Sequence, residues 1–206
     1  MNYDAQKHHR RSIRLRGYDY SSPGAYFITI CSHNKRFLFG NVVDGKMRRN
    51  DHGEIVQEEW FRSATIRKEI QLDAWMVMPN HVHGIVIIAP VGAHGHAPGT
   101  ALAPHRAVAH GVGAHGHAPL QRRPRSLGTF VGGFKGAAKT RINEMRGTPG
   151  APVWQENYYD HIIRNEDELN RIREYILTNP LRWTYDRENP EHQPMDPEEE
   201  EPDWYV

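Results

Sequence analysis

The run from residue 79 to residue 88, Pro-Asn-His-Val-His-Gly-Ile-Val-Ile-Ile, constrains the fold more than any other part of the chain. It has the composition of a β-strand, and residues two apart in a strand point to the same face. His81 and His83 therefore present both imidazoles together, while Val82 faces the opposite side. Such a pair is suited to bind a metal ion. Taken alone it also fits two polar residues on a half-exposed strand, so a metal site needs a third partner.

A helix predicted over residues 169–180 supplies that partner. Three apolar residues at helical spacing form a stripe along it: Leu169, Ile172 and Ile176. Asn165 and Glu168 form a capping box before the stripe. Tyr175 and Asn179 are one helical turn apart, so the phenol oxygen and the amide oxygen can both approach a cation held by the histidines. The alternative is an ordinary half-buried aromatic residue followed by a helix-ending asparagine.

Together these segments resemble the single-tyrosine HUH transposases, and within them the REP-associated tyrosine transposases. His-apolar-His on a strand, followed much later by a helix with one tyrosine, is typical of that group. The resemblance covers about residues 10–183, apart from one insertion. Five blocks carry it: residues 11–20, 24–30, 75–83, 153–164 and 175–180.

This resemblance implies an α+β fold with a ferredoxin-like, RRM-like core and an active site built on these residues. His81, His83 and Asn179 would bind Mg²⁺ or Mn²⁺, and Tyr175 would cleave DNA by forming a covalent 5′-phosphotyrosine. The implied substrate is single-stranded DNA, folded as a hairpin at an extragenic palindromic repeat. Relatives in the wider group often use glutamine as the third ligand, whereas Asn179 is shorter.

The remaining segments predict an antiparallel sheet with helices on one face. Strands are expected over residues 26–32, 73–78 and 81–88, a hairpin over residues 37–43 and 46–49, and helices over residues 51–68 and 127–146. The predicted domains are a basic arm over residues 1–22, the transposase domain over residues 23–186 and an acidic tail over residues 187–206.

An insertion over residues 90–123 lies outside the resemblance. It is rich in Ala, Gly, His and Pro, and it contains Val-Gly-Ala-His-Gly-His-Ala-Pro twice, at residues 91–98 and 112–119. A duplicated low-complexity loop is the simplest interpretation. Transition-metal binding by its histidines is the alternative, although flexible His-rich tracts bind added metal without having evolved to do so. We expect no catalytic residue within it.

The overall charge is balanced, with a formal net charge of +1, but it is distributed unevenly. Cations crowd the start of the chain and carboxylates crowd its end. Two cationic groups are predicted to contact DNA phosphates, and solvated side chains are the alternative for both. The groups are Arg10, Arg11, Arg14 and Arg16 in the arm, and Lys135, Lys139 and Arg141 on the second helix. Trp154 and Tyr158 are available to stack on bases.

One cysteine, Cys31, excludes an intrachain disulfide and favours a reducing compartment. No apolar run approaches the roughly 20 residues that span a bilayer. We therefore expect a cytoplasmic protein without a membrane partner.

The function favoured by these observations is a metal-dependent transposase and endonuclease that cleaves and rejoins single-stranded DNA. Two alternatives stay open: a regulatory protein that binds repeat DNA without cutting it, and a metal phosphoesterase that uses water. Whether the protein acts as a monomer or a homodimer is also open, because some relatives exchange the tyrosine helix between subunits.

Overall fold

The computed structural model describes residues 17–90 and 125–193. The predicted DNA-contacting arm residues Arg10, Arg11, Arg14 and Arg16, most of the His-rich insertion, and the tail from residue 194 onward lie outside these ranges. The described elements follow in chain order: β1 (Gly24–Cys31), β2 (Gly40–Val43), β3 (Lys46–Arg49), α1 (Asp51–Thr65), β4 (Ile70–Val77), β5 (His81–Ile88), α2 (Leu127–Met145), β6 (Tyr159–Ile163) and α3 (Glu166–Thr178).

The main sheet has four antiparallel strands in the order β4-β5-β1-β6. With α1 and α2 as the connections, this is the β-α-β-β-α-β arrangement of a ferredoxin-like core, which confirms the expected fold class. The β2–β3 hairpin forms a separate small sheet and turns at Asp44 and Gly45, both with positive φ, as predicted. Strand β6 was not predicted, since Asp160 and His161 interrupt its apolar pattern.

Both faces of the sheet are covered by helices. Tyr26 and Ile28 of β1 belong to the core that includes α1 and α2, whereas Phe27 belongs to a second core with α3. The expectation of helices on one face is therefore wrong for α3. Burial on both faces explains the continuous apolar runs of β1 and β5, because alternation disappears when neither face meets water.

Capping side chains fix where the helices begin. Asn165 Oδ1 accepts a hydrogen bond from the Glu168 amide (2.8 Å), which confirms the predicted cap of α3. Ser126 Oγ accepts one from the Thr129 amide (3.3 Å) and caps α2. Helix α1 is capped by Asn50. Among the described helices, none has the length and apolar character needed to cross a membrane.

Gly84 of β5 lets α1 pack closely on the sheet. The Trp60 indole lies directly over Gly84, where a Cβ atom would overlap it. The same indole packs edge-on against Phe130 (5.3 Å between ring centroids) and Phe134 (5.2 Å) of α2. This contact joins both helices to the strand that carries the two histidines.

We expect Gly84→Ala to lower the free energy of unfolding by about 1–3 kcal/mol, because the added methyl overpacks the core against Trp60. Gly136→Ala is the matched control. Apart from the backbone of its own helix and its two chain neighbours, no atom lies within 4 Å of the added methyl there, and alanine is favoured by roughly 1 kcal/mol inside a helix. Urea unfolding measures both variants, and a Gly84→Ala protein as stable as the wild type would contradict this packing.

Candidate active site

The two histidines of β5 meet in the interior. Both side chains are fully buried, and their Nε2 atoms lie 2.9 Å apart. Two nitrogen ligands at about 2.1 Å from one metal ion, at right angles to each other, would be about 3 Å apart. The observed separation of His81 and His83 therefore suits two ligands of a single cation.

Outer hydrogen bonds orient both rings. Thr29 Oγ1 lies 2.9 Å from His83 Nδ1, and Asn80 Oδ1 lies 2.8 Å from His81 Nδ1. Because an amide oxygen only accepts, His81 Nδ1 carries the proton and its Nε2 presents a lone pair to the site. Buried Asn80 is held in turn by Nδ2 donation to the Glu188 carbonyl (2.6 Å). Metal-binding histidines in proteins are usually oriented by such partners.

Asp186 is a site residue that the sequence analysis missed. Its Oδ2 atom lies 3.8 Å from His81 Nε2 and 3.9 Å from His83 Nε2, and its side chain is fully buried. These three residues form a cluster that can bind a metal ion. Asp186 follows the predicted helix and Pro180, so no periodic pattern links it to the histidines in the sequence.

Asn179 lies beside this cluster. Its Nδ2 donates to Asp186 Oδ2 (2.7 Å), and its Oδ1 is a buried atom without a hydrogen-bond partner in the described part of the chain. An orphaned buried oxygen costs free energy unless a ligand satisfies it. The oxygen, the carboxylate and the two imidazoles together fit a divalent cation, whereas Asn179 as the third ligand stays a prediction.

Burial and electrostatics put these groups in the protonation states that metal binding requires. Burial, reinforced by neighbouring His83, lowers the pKa of His81 to about 3, so its imidazole is neutral near pH 7. Burial alone would raise the pKa of Asp186. The facing histidines and the Asn179 amide outweigh burial and hold the pKa of Asp186 below its usual range, so the carboxylate stays ionised.

Tyr175 lies next to the histidine pair. Its ring is half-buried on α3, with the centroid 5.3 Å from that of His83 and 6.2 Å from that of Phe27. Tyr159 of β6 belongs to the same core as Tyr175, and its ring centroid lies 6.2 Å from that of Phe27. Two further described tyrosines that follow the insertion lie elsewhere. Tyr158 packs beside the α1–α2 core, and Tyr185 is 40% exposed beyond α3. The structure thus places Tyr175, His83, His81 and Asn179 in one region.

An ion pair fixes the tyrosine helix to the sheet. Arg173 Nε donates to Asp73 Oδ1 (2.8 Å) and Arg173 Nη2 donates to Asp73 Oδ2 (2.6 Å), a bidentate geometry. The pairing register of β4 shifts between Leu72 and Trp75, so Asp73 lies at a β-bulge, a feature that re-aims side chains. Since Arg173 is two residues before Tyr175, this pair helps to set the position of the phenol.

The predicted DNA-contacting residues of α2 lie on the opposite side of the sheet from the histidines, because α2 packs in the other core. Lys135 Nζ donates to the carbonyls of Gln155 (2.5 Å) and Glu156 (3.0 Å). Arg141 donates to Glu58 (2.6 Å) and Glu59 (2.9 Å), joining α2 to α1. Lys139 is half-buried on the same helix. Their contact with DNA stays a prediction.

Comparisons with known proteins place the chain among relatives. It is 37% identical over 189 residues to an uncharacterised protein of Haemophilus influenzae, covering 90% of this chain and 96% of that protein. A solved REP-associated tyrosine transposase, bound to a REP hairpin, matches with a TM-score of 0.50 and 17% identity over 82% of this chain and 72% of its own. A putative Deinococcus radiodurans transposase matches with a TM-score of 0.40 and 19% identity, covering 80% and 95%. No family model matches the chain.

Asp186→Asn is expected to weaken Mn²⁺ binding by about tenfold or more, because the charged ligand is lost while the size of the side chain is kept. Isothermal titration calorimetry of the full chain gives the affinity. Asp44→Asn, in the exposed β2–β3 turn, is the matched control and should bind Mn²⁺ like the wild type. Unchanged affinity in Asp186→Asn would remove this residue from the metal site.

Arg173→Gln is expected to destabilise the fold by about 1 kcal/mol, because it breaks a charged pair that is only partly exposed. Arg173 lowers the pKa of Asp73, so this stabilisation is present at neutral pH and is lost as pH falls below the ordinary aspartate range. The difference from wild type in urea unfolding should therefore shrink toward pH 3. The control is Arg171→Gln, exposed on the same helix. A pH-independent difference would contradict the role of the Asp73 charge.

Proposed function

Because this chain belongs to one family with the Haemophilus influenzae protein and has the fold of the REP-associated tyrosine transposases, we propose that it is a metal-dependent DNA transposase. Its activity would be single-strand endonuclease cleavage followed by strand transfer. The observation that carries the proposal is the position of Tyr175, whose ring lies 5.3 Å from that of the fully buried His83 of the same chain.

The residues that would hold the metal ion are His81, His83 and Asp186, with the Asn179 amide oxygen as a further ligand. A mixed set of imidazole and oxygen donors suits Mn²⁺, and Mg²⁺ is the alternative implied by the resemblance. The bound cation would supply positive charge against the nonbridging oxygens of the scissile phosphate.

Tyr175 would act as the nucleophile. A phenol with an ordinary pKa of about 10 is a weak nucleophile at neutral pH, so its reactivity depends on placement. Its Oη would form a bond to phosphorus while the bond from phosphorus to the 3′ oxygen breaks. The phenol proton passes to solvent, and the released strand takes up a proton as a 3′-OH. The 5′-phosphotyrosine keeps the phosphoester bond, so a different 3′-OH can later attack it and rejoin the DNA.

The substrate we propose is single-stranded DNA folded as a repeat hairpin. The solved transposase with the same fold is bound to a REP hairpin. Tyr175 is half-buried. An unpaired DNA strand suits such a tyrosine better than a duplex does, because the backbone of the strand can bend to bring one phosphate to the phenol.

The test uses repeat hairpins labelled at either the 5′ or the 3′ end, incubated with Mn²⁺ or Mg²⁺ and separated under denaturing conditions. A covalent 5′-phosphotyrosine predicts that the 3′ label migrates with the protein, while the 5′ label appears on a free, shorter strand. Tyr175→Phe should reduce the adduct by at least about 10³-fold, because the nucleophile is removed. Tyr185→Phe, a tyrosine outside the site, is the matched control and should leave the adduct unchanged.

Two other results would overturn the proposal. Cleavage that persists in Tyr175→Phe without any adduct would identify a phosphoesterase that uses water. Hairpin binding without cleavage in either metal would identify a recognition protein.

A further inference from the structure

An aromatic pair extends from the candidate active site to the protein surface. Trp183 lies in the 3₁₀-helix Asn179–Tyr185, and its ring centroid is 6.0 Å from that of His81. Phe37 packs against Trp183 in an edge-on arrangement at 5.6 Å and is 41% exposed. The two rings therefore lead outward from the histidines.

The position of Trp183 ties the pair to the site. Asn179 begins the same 3₁₀-helix and Asp186 directly follows it, and both side chains are buried beside the histidines. Of the two residues that the sequence offers for base stacking, Trp154 is buried against Phe39 (4.9 Å) and Tyr158 packs beside the α1–α2 core. An aromatic surface next to the site is thus provided by residues that the sequence did not indicate.

Charged side chains near this surface are largely engaged elsewhere. Arg36 is exposed and directly precedes Phe37, but it lines a cleft of about 250 Å³ with Leu38 and Arg146 that includes neither Phe37 nor Trp183. Lys35 is bound to the Glu188 carboxylate (3.1 Å), so part of the local positive charge is neutralised. The aromatic pair itself is therefore the feature that fits unpaired nucleic acid, in which bases stack on exposed rings.

We propose that Phe37 and Trp183 form a stacking surface for an unpaired nucleobase of the DNA strand, next to the phosphate that Tyr175 attacks. This inference rests on the proposed function and adds a binding subsite to it. Every base has a flat face, so such a surface accepts any sequence. A base pair within a duplex has both faces covered, so the surface selects single strands.

The test measures binding of the full chain to a fluorescein-labelled (dT)20 strand by anisotropy. We expect Phe37→Ala to bind (dT)20 about 5- to 100-fold more weakly than the wild type, because the variant loses base–aromatic stacking. Phe37→Tyr keeps the ring and should bind like the wild type. Phe61→Ala is the matched control. Phe61 is 45% exposed and also packs edge-on against a tryptophan, Trp75 (4.9 Å), but it lies on α1, across the sheet from the histidines.

A second strand of 20 abasic sites separates stacking from charge, since it has the same phosphates and no bases. Phe37→Ala should bind this strand like the wild type. An equal loss of affinity on both strands, or no loss on (dT)20, would overturn the stacking surface. The hairpin adduct assay is independent of this result. An adduct formed through Tyr175 with no effect of Phe37→Ala would refute the subsite alone, whereas a ring-dependent preference for (dT)20 without any adduct would refute the cleavage chemistry alone.

Discussion

The antiparallel pairing of β1 with β5 is the constraint on which the site depends. Its register runs from Gly24 opposite Ile88 to Cys31 opposite His81. Because side chains alternate along a strand, a slip of one residue would turn both histidines toward the other core. The observed register also places Thr29 directly opposite His83, within hydrogen-bond distance of its Nδ1 atom. One strand pairing therefore sets the face and the orientation of the imidazoles.

This pairing buries a cluster of polar side chains. Burial of such groups costs free energy of folding unless each of them has a partner. Neutral imidazoles and an ionised carboxylate without partners would destabilise an interior by several kcal/mol. Here each group has specific partners: Thr29 and Asn80 hold the rings, and Asn179 donates to Asp186. The Asn179 oxygen, which has no such partner among the described residues, is the atom that most directly suggests a ligand.

Much of this arrangement could be predicted from local sequence patterns. The strand alternation placed His81 and His83 on one face, and the capping residue Asn165 fixed the phase of α3, which carries Tyr175. Asp186 could not be predicted, because it follows the last periodic segment and reaches the site only through the tertiary fold. The position of α3 on the second face could not be predicted for a related reason. A strand that is apolar on both sides shows no alternation from which a helix can be assigned to either face.

In the proposed transposase, one chain provides both halves of the active site, the histidines from β5 and the tyrosine from α3. Mixing Tyr175→Phe protein with His83→Ala protein tests it directly, with a labelled hairpin and Mn²⁺ and with the wild type as the positive control. If the site forms within one chain, neither protein can complement the other, and the mixture should give no covalent adduct. An adduct in the mixture, absent from each variant alone, would show that Tyr175 acts at the histidines of a second chain and would contradict the account.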